Sequence, residues 1–300
     1  MKDEIMNLKN LNEELKKLIK DKGYTLSYIS RAINMSNATL HLWLAGTYTG
    51  NVKKIDEAVK NFLEIEKLRE KKISIEFVNT TIVEDVYDIA RICHVDGEIG
   101  VCCGDPGVGK TYAVKKYAIE NTDVILVEAD LGYTTKVLFS EIHKKLGFEG
   151  LGTIHNMFSD IISKLKSSGR LIIVDEAEHL PYKALELLRR IYDKANIGIL
   201  LVGMPRLIMN LRGEKRQYAQ LFSRVGIATK LAGLTETDAK SIIQSVLPSN
   251  KGLHKLLFEN SAGNTRVLTK LLVRAIKLAQ INNTEIDKEI IQASINQIII

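Results

Sequence analysis

Gly104-Asp105-Pro106-Gly107-Val108-Gly109-Lys110-Thr111 lies between the apolar run Ile99-Gly100-Val101-Cys102-Cys103 and a helix-forming stretch, Tyr112–Glu120. A glycine-rich loop between a buried strand and a helix is the setting in which Gly-x-x-x-x-Gly-Lys-Thr cradles phosphates. Its glycines let backbone N–H groups turn inward on an anion, and the helix N-terminus adds its dipole. Lys110 supplies positive charge at the β and γ phosphates, and the Thr111 hydroxyl is a ligand for Mg²⁺. Gly104, Asp105, Pro106, Gly107, Val108, Gly109, Lys110, Thr111 and Tyr112 are therefore the candidate nucleotide-binding residues, with ATP and Mg²⁺ the expected cofactors.

Downstream, Leu171-Ile172-Ile173-Val174-Asp175-Glu176 reads as a buried strand ending in two acids. Open α/β sheets place their chemistry at that end of a strand. Asp175 is the expected second holder of Mg²⁺. Glu176 is expected to polarise an attacking water, so hydrolysis, not mere binding, is the predicted outcome. A further strand, Ile197–Val202, ends at Gly203-Met204, which offers no polar side chain beside the terminal phosphate. His179 receives no role. Arg224 follows the helical Tyr218–Ser223 and enters a strand-like stretch, a place from which an arginine reaches a neighbouring subunit's nucleotide. Arg266, in Gly263-Asn264-Thr265-Arg266, opens a long helix and faces the γ-phosphate of its own chain. For each arginine an ordinary surface ion pair is the competing assignment.

Short apolar strands at Gly100–Cys103, Val124–Ala129, Leu171–Val174 and 197–202 alternate with helical stretches, which predicts an α/β fold with a parallel sheet covered on both faces. Helices at Ser241–Leu247, Leu253–Asn260 and from about Thr265 to Gln280 then form a helical lid. The first 70 residues read as all helical. Thr25 caps a helix from Leu26 to Ile33, and Ser36 or Asn37 caps another through Leu44, stopped by Gly46. Two short helices joined by a tight turn make a helix-turn-helix pattern, with Ser36, Asn37, Thr39 and His41 placed to meet DNA and Trp43 able to do the same or, as the expected role, to pack in the core. A purely structural helical module is the alternative. The expected boundaries are a helix-turn-helix domain over 1–70, an α/β core over 71–230 that opens with a linker at 71–80, and a helical lid over 231–300.

The 300 residues, 45% hydrophobic and with 4 prolines, can bury a substantial core. No apolar run approaches the roughly 20 residues that cross a bilayer, and Met1–Glu14 has no apolar signal core, so a cytoplasmic protein without membrane partners is expected. The three cysteines lack metal-ligand spacing, and Cys102 and Cys103, within the apolar run, read as small buried residues. Net charge is +6 overall, distributed as +4 over residues 1–72, −5 over 73–200 and +7 over 201–300. Basic ends around an acidic middle fit surfaces that meet a polyanion, or equally a lysine-rich solvated exterior. Arg266, Lys270, Arg274 and Lys277 share one face of the last long helix. With Lys144, Lys145, Lys164 and Lys166 they are candidate DNA-facing residues.

From the phosphate loop through Asp175-Glu176 and Arg224 to Gly263-Asn264-x-Arg266, the core resembles the AAA+ ATPases. Taken with Ile29–Leu40 and Leu44–Val52, the whole chain resembles the B-type transposition proteins of phage Mu, in which a small helix-turn-helix domain precedes a compact AAA+ P-loop module. The resemblance implies an ATP-dependent, sequence-nonspecific binder of double-stranded DNA that assembles with itself into a helical filament. It also implies delivery of target DNA to a transposase, and hydrolysis that triggers release. Gly203-Met204 departs from the AAA+ pattern at the sensing step. An ATP-switched helix-turn-helix transcriptional regulator and a replication-initiator or helicase-loading ATPase share many of these features.

Overall fold

Leucines and isoleucines spaced three and four apart draw the N-terminal residues into four helices: α1 (Lys2–Lys22), α2 (Leu26–Ala32), α3 (Asn37–Leu44) and α4 (Val52–Glu70). The protein is described here by a computed structural model covering residues 2–70, 73, 75–213, 218–248 and 252–298. It divides into two compact units, Met1–Ser74 and Ile75–Ile300. Lys71, Lys72 and Ser74 of the expected linker lie outside the described residues.

In the first unit Leu15, Ile29, Leu40, Trp43, Ile55, Val59 and Phe62 form one core. The Trp43 indole N–H donates to Asp56 Oδ1 at 2.8 Å, so this residue is a core anchor with a satisfied polar edge. Thr25 caps α2 by accepting from the Tyr28 N–H, and Ser36 caps α3 by accepting from the Thr39 N–H. Glu66 is 1% exposed and gathers Lys22 Nζ at 3.1 Å, the Tyr24 hydroxyl at 2.9 Å and Arg69. Burial alone would raise its pKa. The hydrogen bonds from Lys22, Arg69 and Tyr24 outweigh that and hold it below its ordinary 4.5.

In the second unit five strands, β1 (Ile99–Cys103), β2 (Val124–Glu128), β3 (Leu171–Asp175), β4 (Gly198–Gly203) and β5 (Val225–Lys230), pair in the order β2-β3-β4-β1-β5. Every pairing is parallel. Parallel neighbours need crossover connections, and helices supply them. They are α5 (Thr81–Asp96) ahead of β1, then α6 (Lys110–Glu120), α7 (Thr135–Lys145), α8 (Ile154–Leu165), α9 (Tyr182–Ala195), α10 (Arg206–Arg212) and α11 (Ala219–Phe222). Alternate strand residues serve opposite faces. Leu171, Ile173, Leu200 and Val202 join Ile82, Val86 and Ile89 of α5 and Val114 and Tyr117 of α6. Ile172, Val174, Ile199 and Leu201 join Phe139 of α7, Met157 and Ile161 of α8 and Leu188 of α9. Cys93, Cys102 and Cys103 are buried and free, and burial pushes the Cys93 and Cys102 thiols up to about 12.

The chain ends in α12 (Glu236–Val246), α13 (His254–Ser261), α14 (Thr265–Asn282) and α15 (Lys288–Ile295). α12 starts five residues ahead of the predicted Ser241 because Thr235 and Asp238 form a reciprocal capping box. The same Asp238 carboxylate accepts from the Thr81 N–H at 3.0 Å and the Thr81 hydroxyl at 2.7 Å, tying α12 to α5. Leu268, Leu271, Leu272 and Ala275 of α14 share the core that includes α5 and α6.

The chain has one tryptophan, so its fluorescence reports the first unit alone. Glu66→Ala should lower the unfolding free energy read at Trp43 by about 2–4 kcal/mol, because Lys22 and Tyr24 lose their buried acceptor. The folded pKa of Glu66 lies below its unfolded value, so its stabilisation is whole above 4.5. The gap between parent and variant should close as pH falls below that value in urea titrations.

Candidate active site

The loop at 104–109 leaves the C-terminal end of β1 and runs into α6. Gly107 (φ +82°) and Gly109 (φ +120°) carry backbone conformations that side-chain-bearing residues rarely adopt. At Gly107 a Cβ would also overlap the Asn264 amide. The Lys110 ammonium is buried and donates to the carbonyls of Gly104 at 2.7 Å and Asp105 at 2.8 Å. Burial pushes its pKa below the usual lysine value, and the charges of Asp175 and Glu178 oppose that shift. An ammonium stripped of water in this way interacts strongly with a phosphate oxygen.

The sheet order sets the remaining parts. β4 lies between β1 and β3, so the loop, the tip of β4 and Asp175 stand side by side along one edge. The Gly104 N–H donates to the Gly203 carbonyl at 3.2 Å. Asp175 is 1% exposed. Its Oδ1 accepts from the Glu176 N–H at 3.0 Å, and Oδ2 has no partner among the described residues. Burial raises its pKa, the Glu176 and Glu128 charges add to the rise, and the Thr111 hydroxyl and Glu176 N–H oppose it. An orphaned, buried carboxylate oxygen beside a threonine hydroxyl suits a divalent cation carried in by phosphates. Thr111 and Asp175 would hold Mg²⁺, which when bound neutralises charge on the phosphates. Among the described residues no group of three or more His, Cys, Asp or Glu side chains is arranged to hold a metal ion.

Glu176 has left-handed backbone (φ +52°) and an exposed side chain. It pairs with His179 Nε2 at 3.7 Å, and that nitrogen lies 3.3 Å from Arg206 Nη2. Arg206 also stands 3.8 Å from Glu178 Oε1. Sequence reasoning gave His179 no part and passed over Glu178 and Arg206. The signal was present in the short run Asp175-Glu176-Ala177-Glu178-His179, a second acid and a histidine within one turn of the first pair.

The helical lid is stitched to the loop. Asn264 Oδ1 caps α14 by accepting from the Arg266 and Val267 N–H groups, and its Nδ2 donates to the Pro106 carbonyl at 2.9 Å. The Thr265 hydroxyl donates to the Val108 carbonyl at 2.8 Å, and the Arg266 N–H to the Gly107 carbonyl at 3.0 Å. Three consecutive residues of α14 and its cap therefore hold three carbonyls of the phosphate loop. The Arg266 side chain, together with Lys270, Arg274 and Lys277, lines a cavity of about 1060 Å³ whose other walls are the loop, Ile82 and Val83 of α5, and Ile242. Residues 75–80, expected as linker, contribute Ile75, Glu76, Val78 and Thr80 to that cavity. Tyr112 lines it as well and stacks on Phe77, ring centroids 5.1 Å apart.

The remaining candidates lie on several different elements. Lys144 and Lys145 end α7, and Lys164 and Lys166 close α8, all four exposed on helices of the sheet face opposite α14. Ser36 is engaged in capping, Asn37 reaches back to Ser27 and Ser30, Thr39 is half-buried, and His41 is exposed. Arg224 precedes the first residue of β5, at the edge of the parallel sheet opposite the loop, and donates to Asp193 Oδ1 at 3.1 Å. Within its own chain it is an ion pair with α9.

Residues 94–211 match a family of AAA domains, AAA_22. The chain is 27% identical over 271 residues to the Mu-like prophage FluMu DNA transposition protein B of Haemophilus influenzae, covering 87% of this chain and 94% of that protein. It is 27% identical over 242 residues to the ATP-dependent target DNA activator B of Escherichia phage Mu, covering 79% and 78%. Among solved structures, the Aeropyrum pernix ORC2 protein superposes with a TM-score of 0.57 at 17% identity over 72% of this chain and 66% of that one, a likeness of fold. No helix among the described residues is long and apolar enough to cross a membrane.

Asn264→Asp keeps an acceptor for the α14 cap and loses the donor to Pro106. It should weaken binding of a fluorescent ATP analogue about fivefold, the worth of one hydrogen bond, with little change in thermal midpoint. Asn264→Ala should show the same loss and, in addition, about 1 kcal/mol of destabilisation from the missing cap.

Proposed function

The chain has the AAA+ P-loop fold and resembles the Mu B transposition proteins, and from that premise we propose that it is an ATP-dependent DNA-binding ATPase serving DNA transposition. In this proposal it assembles with itself on duplex DNA of arbitrary sequence and presents that DNA to a transposase. The observation that carries the proposal is the stitching of Asn264, Thr265 and Arg266 to the phosphate loop. Whatever the phosphates do to the loop is transmitted to α14, and with it to a row of four cations.

In this scheme Lys110 and the loop N–H groups bind the β and γ phosphates, and Thr111 and Asp175 hold Mg²⁺. Glu176 takes the proton of the attacking water as its oxygen bonds to the γ-phosphorus. The bridging P–O bond breaks and its electron pair leaves with ADP. Arg266 serves the γ-phosphate of its own chain. Arg224, leaving Asp193, serves that of a neighbouring copy. Lys270, Arg274 and Lys277 stand close enough to the nucleotide cavity for their availability to DNA to depend on what fills it, and hydrolysis then times release. Lys144, Lys145, Lys164, Lys166 and the α3 residues Asn37, Thr39 and His41 with their cap Ser36 are secondary candidates for DNA contact.

With ATP at low salt, the purified protein should coat duplexes of unrelated sequence, with affinity falling steeply as salt rises. No binding under those conditions would sink the proposal, and a footprint confined to one palindrome would favour an operator-reading regulator instead. Glu176→Gln should trap an ATP-bound, DNA-bound state. Lys110→Ala should lose ATP and DNA binding together, and normal DNA binding by that variant would disprove the coupling.

A further inference from the structure

The tip of β4 has no polar side chain of its own, yet it is not apolar. Glu178, from the short turn Ala177–His179 after β3, lays its carboxylate against Gly203, and a Cβ built on Gly203 would overlap Glu178 Oε2. The side chain is 2% exposed, and Oε2 has no hydrogen-bond partner among the described residues. Because β4 lies between β1 and β3, this oxygen stands at the middle of the edge that bears the phosphate loop on one side and Asp175 on the other. The carboxylate is close enough to Lys110 to oppose the effect of burial on that ammonium.

A buried carboxylate with a free oxygen is costly unless something meets it. Two features keep the charge where it is. Arg206, the first residue of α10, lies 3.8 Å from Oε1, and Asn210 of the same helix donates to the Glu178 carbonyl at 3.0 Å. α10 begins three residues after β4 ends, so one strand-to-helix segment supplies both the bare tip and the brace that holds Glu178 over it. Arg206 Nη2 also stands 3.3 Å from His179 Nε2, which lies 3.7 Å from Glu176 Oε2.

We propose that Glu178 is a positioning residue for ATP hydrolysis. Its Oε2 takes the place of the missing polar residue of β4 and accepts a hydrogen bond from water at the terminal phosphate. A negative group cannot bind the phosphate itself, so its work is to orient water toward Glu176 and the γ-phosphorus. On this account Gly203 is glycine because the room beside it belongs to the Glu178 carboxylate. The proposal rests on the ATPase assignment above.

The test uses the full chain with Glu178→Gln, which preserves shape, and Gly203→Ala, which leaves Glu178 in the sequence but drives its carboxylate off the tip. For both, kcat for ATP should fall about tenfold or more while KM and binding of a non-hydrolysed ATP analogue stay within about twofold. Affinity for ADP with aluminium fluoride, which mimics the phosphoryl group under attack by water, should fall in parallel, and thermal midpoints should match the parent. Parental kcat and fluoride-complex affinity in Glu178→Gln would overturn the proposal, and so would loss of analogue binding, which would make Glu178 part of the binding fold. Glu176→Gln separates the two levels: parental hydrolysis in that variant would overturn the hydrolytic site itself, whereas its failure alone leaves Glu178 to be decided by the fluoride complex.

Discussion

Parallel pairing of all five strands is the constraint from which the rest of the second unit follows. It requires helical crossovers, which cover both faces and account for the uninterrupted apolar runs of β1, β3 and β4. It also sends every strand's C-terminal end to the same edge. With β4 inserted between β1 and β3, the phosphate loop, the bare tip at Gly203 and the acid at Asp175 become neighbours although 99 residues separate Gly104 from Gly203. No side chain has to be brought in from afar.

The lid is attached by polar contacts rather than by packing alone. Asn264 is both a helix cap and a bracket on Pro106, and Thr265 and the Arg266 N–H add two more contacts to loop carbonyls. Each is worth about 1 kcal/mol, small enough to be rearranged by a ligand and together large enough to register its arrival. Asp238, which bonds its own cap residue and Thr81, makes a second such link between α12 and α5. The lid is thereby hydrogen-bonded both to the loop and to α5.

Local patterns were legible in the sequence. The first four strands could be placed within a residue or two because short apolar runs bounded by polar or glycine residues have few alternatives. The phosphate loop, a cap at Ser36 or Asn37 and a core place for Trp43 in preference to a groove-facing one are equally local. What depends on strand order was not legible. The filling of the Gly203 tip by Glu178 needs β4 beside β3, and nothing within Ile199–Met204 announces it. Lys270, Arg274 and Lys277 were correctly placed on one helix face, but what that face adjoins is a tertiary fact: it lines the cavity beside the phosphate loop. Residues 75–80 carry no regular pattern and read as linker, yet they wall the same cavity. Arg224 shows the opposite limit. Its position before β5 was legible, but its ion pair with Asp193 depends on how α9 packs.

Arg224 and the phosphate loop occupy opposite edges of one sheet. A contact that brings the arginine of one copy to the loop of the next, made always in one direction, joins two unlike surfaces and leaves the end copies one of each to offer. Repeated in one direction, such a contact is heterologous. Repetition by a fixed rotation either closes into a ring or climbs as a helix with a distinct front and back. Copies joined in that way would all share one orientation, a polarity that a single chain already carries in the two ends of its sheet.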